Sequence, residues 1–169
     1  MASLSILQLP DPRLRHIAKP VLNITAEIIK IVDDMYDTMY ANQGVGLAAT
    51  QVGINWRIFV MDVSEARDQR ICAINPEILS EEGSEEGEEG CLSVGLGMGI
   101  YDKVTRKNKL RFRAQNIHGK TYEIDAEGLM ARCVQHEIDH LNGILYIDHL
   151  SRLKQDRIRK KIEKETKKR

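Results

Sequence analysis

Residues 125–143, DAEGLMARCVQHEIDHLNG, constrain the fold more than any other stretch, because they read as one helix carrying His136, Glu137 and His140. Residues four apart on a helix lie about 40° from each other around its axis, so the two imidazoles converge on one point. His-Glu-x-x-His is a metal-binding pattern: neutral imidazoles supply ligands, and the carboxylate between them stays near the ion but free to move protons. A lone histidine on an apolar helix is more often a hydrogen-bonded core residue; the complete pattern favours metal. The same helix is apolar on two faces. Leu129 and Cys133 continue the line of the histidines, and Met130, Val134, Ile138 and Leu141 form a second stripe, with Gly143 standing where the helix stops. The expectation is a helix buried nearly all round.

The rest of the chain must supply the cover. Residues 7–20, with Pro10, Pro12 and Pro20, read as an extended arm wrapped on the surface, with His16 a surface histidine. A helix is predicted over 25–41, capped by Thr25 and buried through Ile28, Ile31, Val32, Met35 and Met39. Residues 57–63, 71–75 and 76–80 read as short strands separated by turns, and the acidic stretch 81–89 as a solvated loop. Residues 109–114 alternate, Leu110, Phe112 and Ala114 against Arg111 and Arg113, which predicts a half-buried strand. A turn at His118-Gly119 and a strand over 121–125 lead into the metal helix. From Ser151 the chain reads as a basic helix with Leu153, Ile158 and Ile162 on its apolar edge. Strands and helices follow one another without βαβ regularity, which gives an α+β class: mostly antiparallel β-sheets around a central metal-binding helix, with a C-terminal helix.

A chain of 169 residues suits one domain, here 1–150 as the catalytic body and 151–169 as a basic helix of the same domain. No apolar run is long enough for a bilayer, and the start lacks the pattern of a secretory signal, so no membrane partner is expected. Three cysteines, Cys72, Cys91 and Cys133, make no disulfide framework, and a cytoplasmic location is expected. Net charge is zero but unevenly placed. Residues 77–90 hold seven glutamates and no basic residue, while 152–169 hold ten basic residues against Asp156, Glu163 and Glu165. Sequence-specific nucleic-acid binding is not implied; a basic tail that meets an anionic partner is.

A third ligand is needed, and Cys91 in EGCLS, flanked by a glycine that lets backbone come close, is the natural candidate. Two histidines and one cysteine leave an open position for water, which marks a catalytic site and not a structural one. Glu137 then takes a proton from that water and delivers it to a leaving amine. Metalloproteases share the helix pattern, but the extended form H-E-x-x-H-x-x-G-x-x-H finds Gly143 and then Tyr146 where its third histidine belongs, and Asp148 lies too near the helix end to replace it. An endopeptidase and a module with a structural metal remain as alternatives. GVGLAATQ at 44–51 lacks the glycine and lysine pattern of a phosphate loop.

GVGLAATQ at 44–51, EGCLS at 89–93 and QHEIDHLNG at 135–143, in this order and spacing, resemble the peptide deformylases. The likeness covers nearly the whole chain, including the LPDPRLR start and the basic C-terminal helix. The resemblance implies that Cys91, His136 and His140 hold the metal, natively Fe2+, with Zn2+, Ni2+ or Co2+ possible in its place. It makes Glu137 the acid and base, and gives the Gln51 amide and the Leu92 backbone N–H to the oxygen of the formyl group. It brings Gly46 close to the substrate backbone, lines the methionine pocket with Val45, Leu129 and Cys133, and places Glu89 among the substrate-binding residues. The implied reaction removes the N-formyl group from the initiator methionine of a nascent peptide and releases formate, with the basic helix docking on the ribosome. This chain departs from the family where Gly95 replaces a proline, where no arginine follows in the glycine-rich segment, and where Gly87 replaces an apolar residue.

Overall fold

The computed structural model describes residues 3–168. Its elements, in order, are α1 (Ala26–Ala41), β1 (Gly46–Ala48), β2 (Ile58–Met61), β3 (Ile71–Glu82), β4 (Glu85–Glu89), β5 (Asp102–Arg106), β6 (Lys109–Gln115), β7 (Thr121–Glu127), α2 (Gly128–Leu141) and α3 (Arg152–Lys167). Antiparallel pairing gives a five-stranded sheet in the order β1-β2-β3-β6-β7 and a separate two-stranded sheet of β4 and β5. Thr25 caps α1 as its sequence requires, its side chain accepting the Ile28 N–H at 3.3 Å.

One face of the large sheet meets α2, while the other is covered by α1 at β1 and β2 and open at β6 and β7, and strand alternation decides what each helix meets. On β2, Phe59 and Met61 point into a cluster with Ala131, Cys133, Val134 and Leu141 of α2. Ile58 and Val60 point the other way, into a cluster with Ile28, Val32, Met35 and Met39 of α1. Phe59 and Phe112 are wholly buried, each stabilising the fold by about 1.5–3 kcal/mol through transfer from water. β6 alternates as its pattern predicts. Its outward Arg111 and Arg113 pair with Glu123 and Asp125 across the strand, exposed contacts that contribute about 1 kcal/mol or less.

Residues 71–80 form one strand where two were expected. Asn75 adopts a φ of +53° and Pro76 has no N–H to donate, but the interruption is absorbed as a register shift against β6 between Ile74 and Glu77. The acidic stretch is likewise not a loop: Glu81 and Glu82 complete β3, Gly83 turns the chain at a φ of +74°, and the remaining glutamates form β4 paired with β5. Across the pair, Lys103 reaches Glu86 at 4.0 Å and Arg106 reaches Glu89 at 2.9 Å, which offsets part of the repulsion that made this stretch read as unstructured.

The N-terminal arm is more deeply embedded than a surface wrap. Leu9, Leu14 and Ala18 are buried, and a 3₁₀ turn spans Pro12–Arg15. The arm secures the end of α2. Ala18 N–H and the Arg57 guanidinium both donate to the Leu141 carbonyl, at 2.8 and 3.1 Å, and Arg15 donates to the Gly143 carbonyl at 3.1 Å. α3 returns over the same region, burying Ile158 and Ile162 with Leu145, Tyr146 and Ile147. Leu153, expected on that edge, is 62% exposed, since five residues of helical rotation carry it about 140° from Ile158. Among the described residues, no helix is long and apolar enough to cross a membrane.

Gly143 is required twice over: its φ is +75°, and a Cβ there would lie 2.5 Å from the Arg15 carbonyl oxygen. Gly143→Ala is expected to lower the unfolding free energy by about 1–3 kcal/mol, read as a lower melting temperature. An unchanged melting temperature would contradict the clamp described for this helix end.

Candidate metal centre

α2 brings His136 and His140 to one side, with their Nε2 atoms 3.3 Å apart. The turn after β4 brings Cys91 to them, its Sγ 3.3 Å from His140 Nε2. One donor atom from each of Cys91, His136 and His140 lies within 4.8 Å of the others. An ion bound at about 2.0 Å from nitrogen and about 2.3 Å from sulfur spreads tetrahedral ligands about 3.3–3.6 Å apart, so these spacings fit one.

The electrostatics fit as well. Burial works against charge on His136, but Cys91 and Glu89 outweigh it and raise its affinity for a proton well above the ordinary histidine value; the same negative surroundings attract a cation. Burial, followed by the His136 charge, holds His140 well below its ordinary value, which keeps it neutral and able to ligate. The Ser93 N–H donates to the Cys91 sulfur at 3.4 Å, and the Gln51 Nε2 lies 3.5 Å from it. Cys133 differs: burial pushes its thiol up, and its Sγ lies 3.8 Å from the Val45 carbonyl.

Glu89, which also lines the cleft, organises the groups behind His136. Its Oε1 takes His136 Nδ1 at 2.8 Å, and Arg106 reaches both its oxygens at 2.9 Å. Arg132 adds a contact to Oε2 at 2.7 Å. This fixes the His136 tautomer, with Nδ1 as donor and Nε2 turned to the cluster. Glu89, expected among the substrate-binding residues, lines the cleft and also supports His136, with both of its oxygens engaged by protein. Arg106 continues to Asp139 at 2.6 Å, and His149 joins Asp139 at 2.9 Å. Arg132 could have been found in the sequence, standing one helical turn before His136. Arg106 and His149 carried no such signal, since only the hairpin and the turn after α2 bring them in.

Glu137 is 3% exposed and lines the cleft, and its Oε1 has no partner among the described residues. Burial raises its carboxyl to about 7, so protonated and ionised forms are both accessible near neutral pH. Gly46 on β1 makes room for it: a Cβ there would stand 2.6 Å from Glu137 Oε2 and 2.8 Å from Cys133 Sγ. The close approach this glycine permits is therefore to α2 itself.

Gln51, in the 3₁₀ turn Ala49–Val52, is held at both ends of its amide. Oε1 accepts the Ala48 N–H at 2.9 Å and Nε2 donates to Ser93 Oγ at 3.1 Å, which directs the donor end toward the Cys91 turn. Within that turn the Cys91 carbonyl accepts the Val94 N–H at 3.0 Å. In a planar trans peptide the Leu92 N–H then points the opposite way, out of the turn. Val45, Gly46, Leu129 and Cys133 line a cleft of about 420 Å³ that opens beside the cluster. Leu129, expected to be buried with the rest of its helix, is 54% exposed, because it sits in the first turn of α2 at the mouth of this cleft.

Residues 3–156 match the family model described as Polypeptide deformylase. A peptide deformylase of Alkalilimnicola ehrlichii is 54% identical over 165 residues, covering 97% of this chain and 91% of that protein. Among solved structures, a peptide deformylase from Legionella pneumophila aligns with a TM-score of 0.93 at 48% identity, covering 98% of this chain and 96% of the other. A peptide deformylase from Ehrlichia chaffeensis in complex with actinonin aligns at 0.92 and 41% identity, covering 98% of each.

Burial alone would raise the Glu89 carboxyl, but Arg106 and His136 outweigh it and hold the group well below the usual carboxylate range. A depressed carboxylate stabilises the fold above its unfolded-state value of about 4.3 and loses that contribution as pH falls further. Acid unfolding of the metal-free protein should therefore steepen below about pH 4, and Glu89→Gln should flatten that dependence while lowering stability at neutral pH. Parallel curves for the two proteins would contradict the assigned charge network.

Proposed function

Because this chain belongs to the polypeptide deformylase family, a metal-dependent family of hydrolases that removes the N-formyl group from the N-terminal methionine of nascent polypeptides, we propose roles for its own residues in that reaction. Cys91, His136 and His140 hold the ion, Fe2+ natively, with Zn2+, Ni2+ or Co2+ able to take its place. The observation that carries this reading is the convergence of one thiol and two imidazole nitrogens within 4.8 Å, backed by Glu89. When bound, the ion supplies Lewis acidity toward the formyl carbonyl and toward water.

The protein's own groups do the rest. Glu137 takes a proton from the attacking water and returns it to the amine nitrogen as the carbon–nitrogen bond breaks, so that water and formamide become formate and a free amino terminus. Its burial, and an oxygen free of protein partners, support this role. The Gln51 Nε2 and the Leu92 N–H donate to the formyl oxygen as it gains charge, an arrangement in which loss of one donor typically costs about 10²–10³ in rate. Val45, Leu129 and Cys133 form the pocket for the methionine of the N-formyl-Met peptide, in keeping with their place in the lining of the cleft, while Gly46 approaches the substrate backbone and Glu89 stands among the substrate-binding residues.

Residues 1–150 form the catalytic body, and 151–169 belong to the same domain, a reading supported by the burial of Ile158 and Ile162. The basic residues left exposed on α3 suit docking on the ribosome, whose RNA is anionic. The site of action is the cytoplasm.

Glu137→Ala is expected to retain stoichiometric metal but lose formate release from a formyl-Met peptide by at least about 10²-fold; near wild-type turnover would remove Glu137 from the proton path. Thiolate ligation also makes the iron-loaded enzyme sensitive to air. Anaerobically prepared enzyme should lose activity on aeration with oxidised sulfur appearing at Cys91 by mass spectrometry, and an enzyme that stays active with Cys91 unmodified would count against iron held by that thiolate.

A further inference from the structure

We propose that Gln8, in the N-terminal arm, is a positioning residue for the loop that carries Cys91 and Leu92. The inference rests on the role proposed for the Leu92 N–H. The loop from residue 90 to 101 holds Gly95, Gly97 and Gly99 at φ values of +66°, +76° and +67°. Glycines lose more conformational freedom on being fixed than any other residue, so a loop built this way needs ties from outside. Its own backbone supplies two, Val94 N–H to the Cys91 carbonyl at 3.0 Å and Met98 N–H to the Gly95 carbonyl at 2.9 Å.

Gln51 supplies another, its Nε2 donating to Ser93 Oγ at 3.1 Å, and the arm adds three. Leu9 N–H donates to the Ser93 carbonyl at 2.8 Å. The Gln8 amide bridges the loop: Nε2 donates to the Leu92 carbonyl at 2.6 Å, and Oε1 accepts the Leu96 N–H at 3.1 Å. Leu92 offers an acceptor there and Leu96 a donor, so a single amide orientation satisfies both, which neither a carboxylate nor an ammonium can do. One residue earlier, Leu7 N–H donates to the Gln51 carbonyl at 2.7 Å. Three successive residues of the arm thus grip both segments that carry the proposed donors to the formyl oxygen.

The consequence for Leu92 is geometric. The peptide before it is held by Val94 at the Cys91 carbonyl, and the peptide after it is held by Gln8 at the Leu92 carbonyl. Because each peptide is planar, the tie at the Cys91 carbonyl directs the Leu92 N–H, and the tie at the Leu92 carbonyl holds the next peptide across the Leu92 φ and ψ, so freeing it lets the turn that carries the N–H shift. A misdirected donor weakens an interaction made mainly in the transition state, so the effect belongs in kcat.

Gln8→Met, close in shape but unable to bridge, and Gln8→Glu, which keeps the Leu96 bond and loses the donor to Leu92, separate the two halves. With a formyl-Met tripeptide, both variants are expected to lower kcat by about tenfold, less than outright loss of a donor, with KM within about threefold and metal content unchanged. The Leu96 amide should exchange with deuterium about tenfold faster in Gln8→Met and at the wild-type rate in Gln8→Glu. Should Gln8→Met fail to fold, Gln8→Glu alone carries the kinetic test. Wild-type kcat in the folded variants, or a loss explained wholly by lost metal, would overturn the proposal, as would unchanged Leu96 exchange in Gln8→Met. Absence of formate release from the wild-type enzyme would instead overturn the proposed function, and the exchange data would still decide whether Gln8 ties the loop.

Discussion

A carboxylate buried at 6% exposure is tolerable only when its charge is met, and Glu89 meets His136, Arg106 and Arg132 at once. Stripping hydration from such a group costs several kcal/mol, and the surrounding donors offset it. That compensation is what links the hairpin of β4 and β5 to α2. Glu89 ends β4, Arg106 ends β5, and Arg132, His136 and Asp139 lie on one stretch of α2. Removing one partner leaves a buried charge unmatched, so the hairpin and the helix hold their relative position as a unit. Cys91 follows Glu89 by two residues, and its placement against the two imidazoles is inherited from this network.

The division of labour between the faces of α2 follows. One face is apolar and closes the core against Phe59, Met61 and Phe112. The other gathers the polar groups that the core cannot accept, and there the sequence carries its chemistry. β1 presses Gly46 against Glu137, while the N-terminal arm ties down Leu92, Ser93 and Gln51 from outside. Three segments distant in the chain thereby fix one cleft, and a substitution in any of them has a physical route to the cluster of Cys91, His136 and His140.

Much of this was readable beforehand because it depended on local periodicity. Residues four apart on a helix share a face, so His136 and His140 pointed to a candidate metal site without any tertiary knowledge, and the alternation of Leu110, Phe112 and Ala114 pointed to a strand. What was not readable depended on partners far away in the chain. The glutamates of β4 read as a loop until β5 supplied a strand to pair with, and Leu129 read as buried until the cleft opened beside it. Glu89 stands two residues before Cys91, but its hold on His136 becomes visible only with Arg106, 17 residues onward, in place. Gln8 is the extreme case, since 84 residues separate it from the carbonyl it holds.

X-ray absorption at the metal edge, on anaerobically loaded protein, probes the donor set without reference to turnover. The account requires one sulfur at about 2.3 Å and nitrogen scatterers at about 2.0–2.1 Å, with the sulfur shell absent from Cys91→Ser and unaltered in Cys133→Ser. A sulfur shell that vanishes with Cys133, or a spectrum holding no sulfur at all, would contradict it.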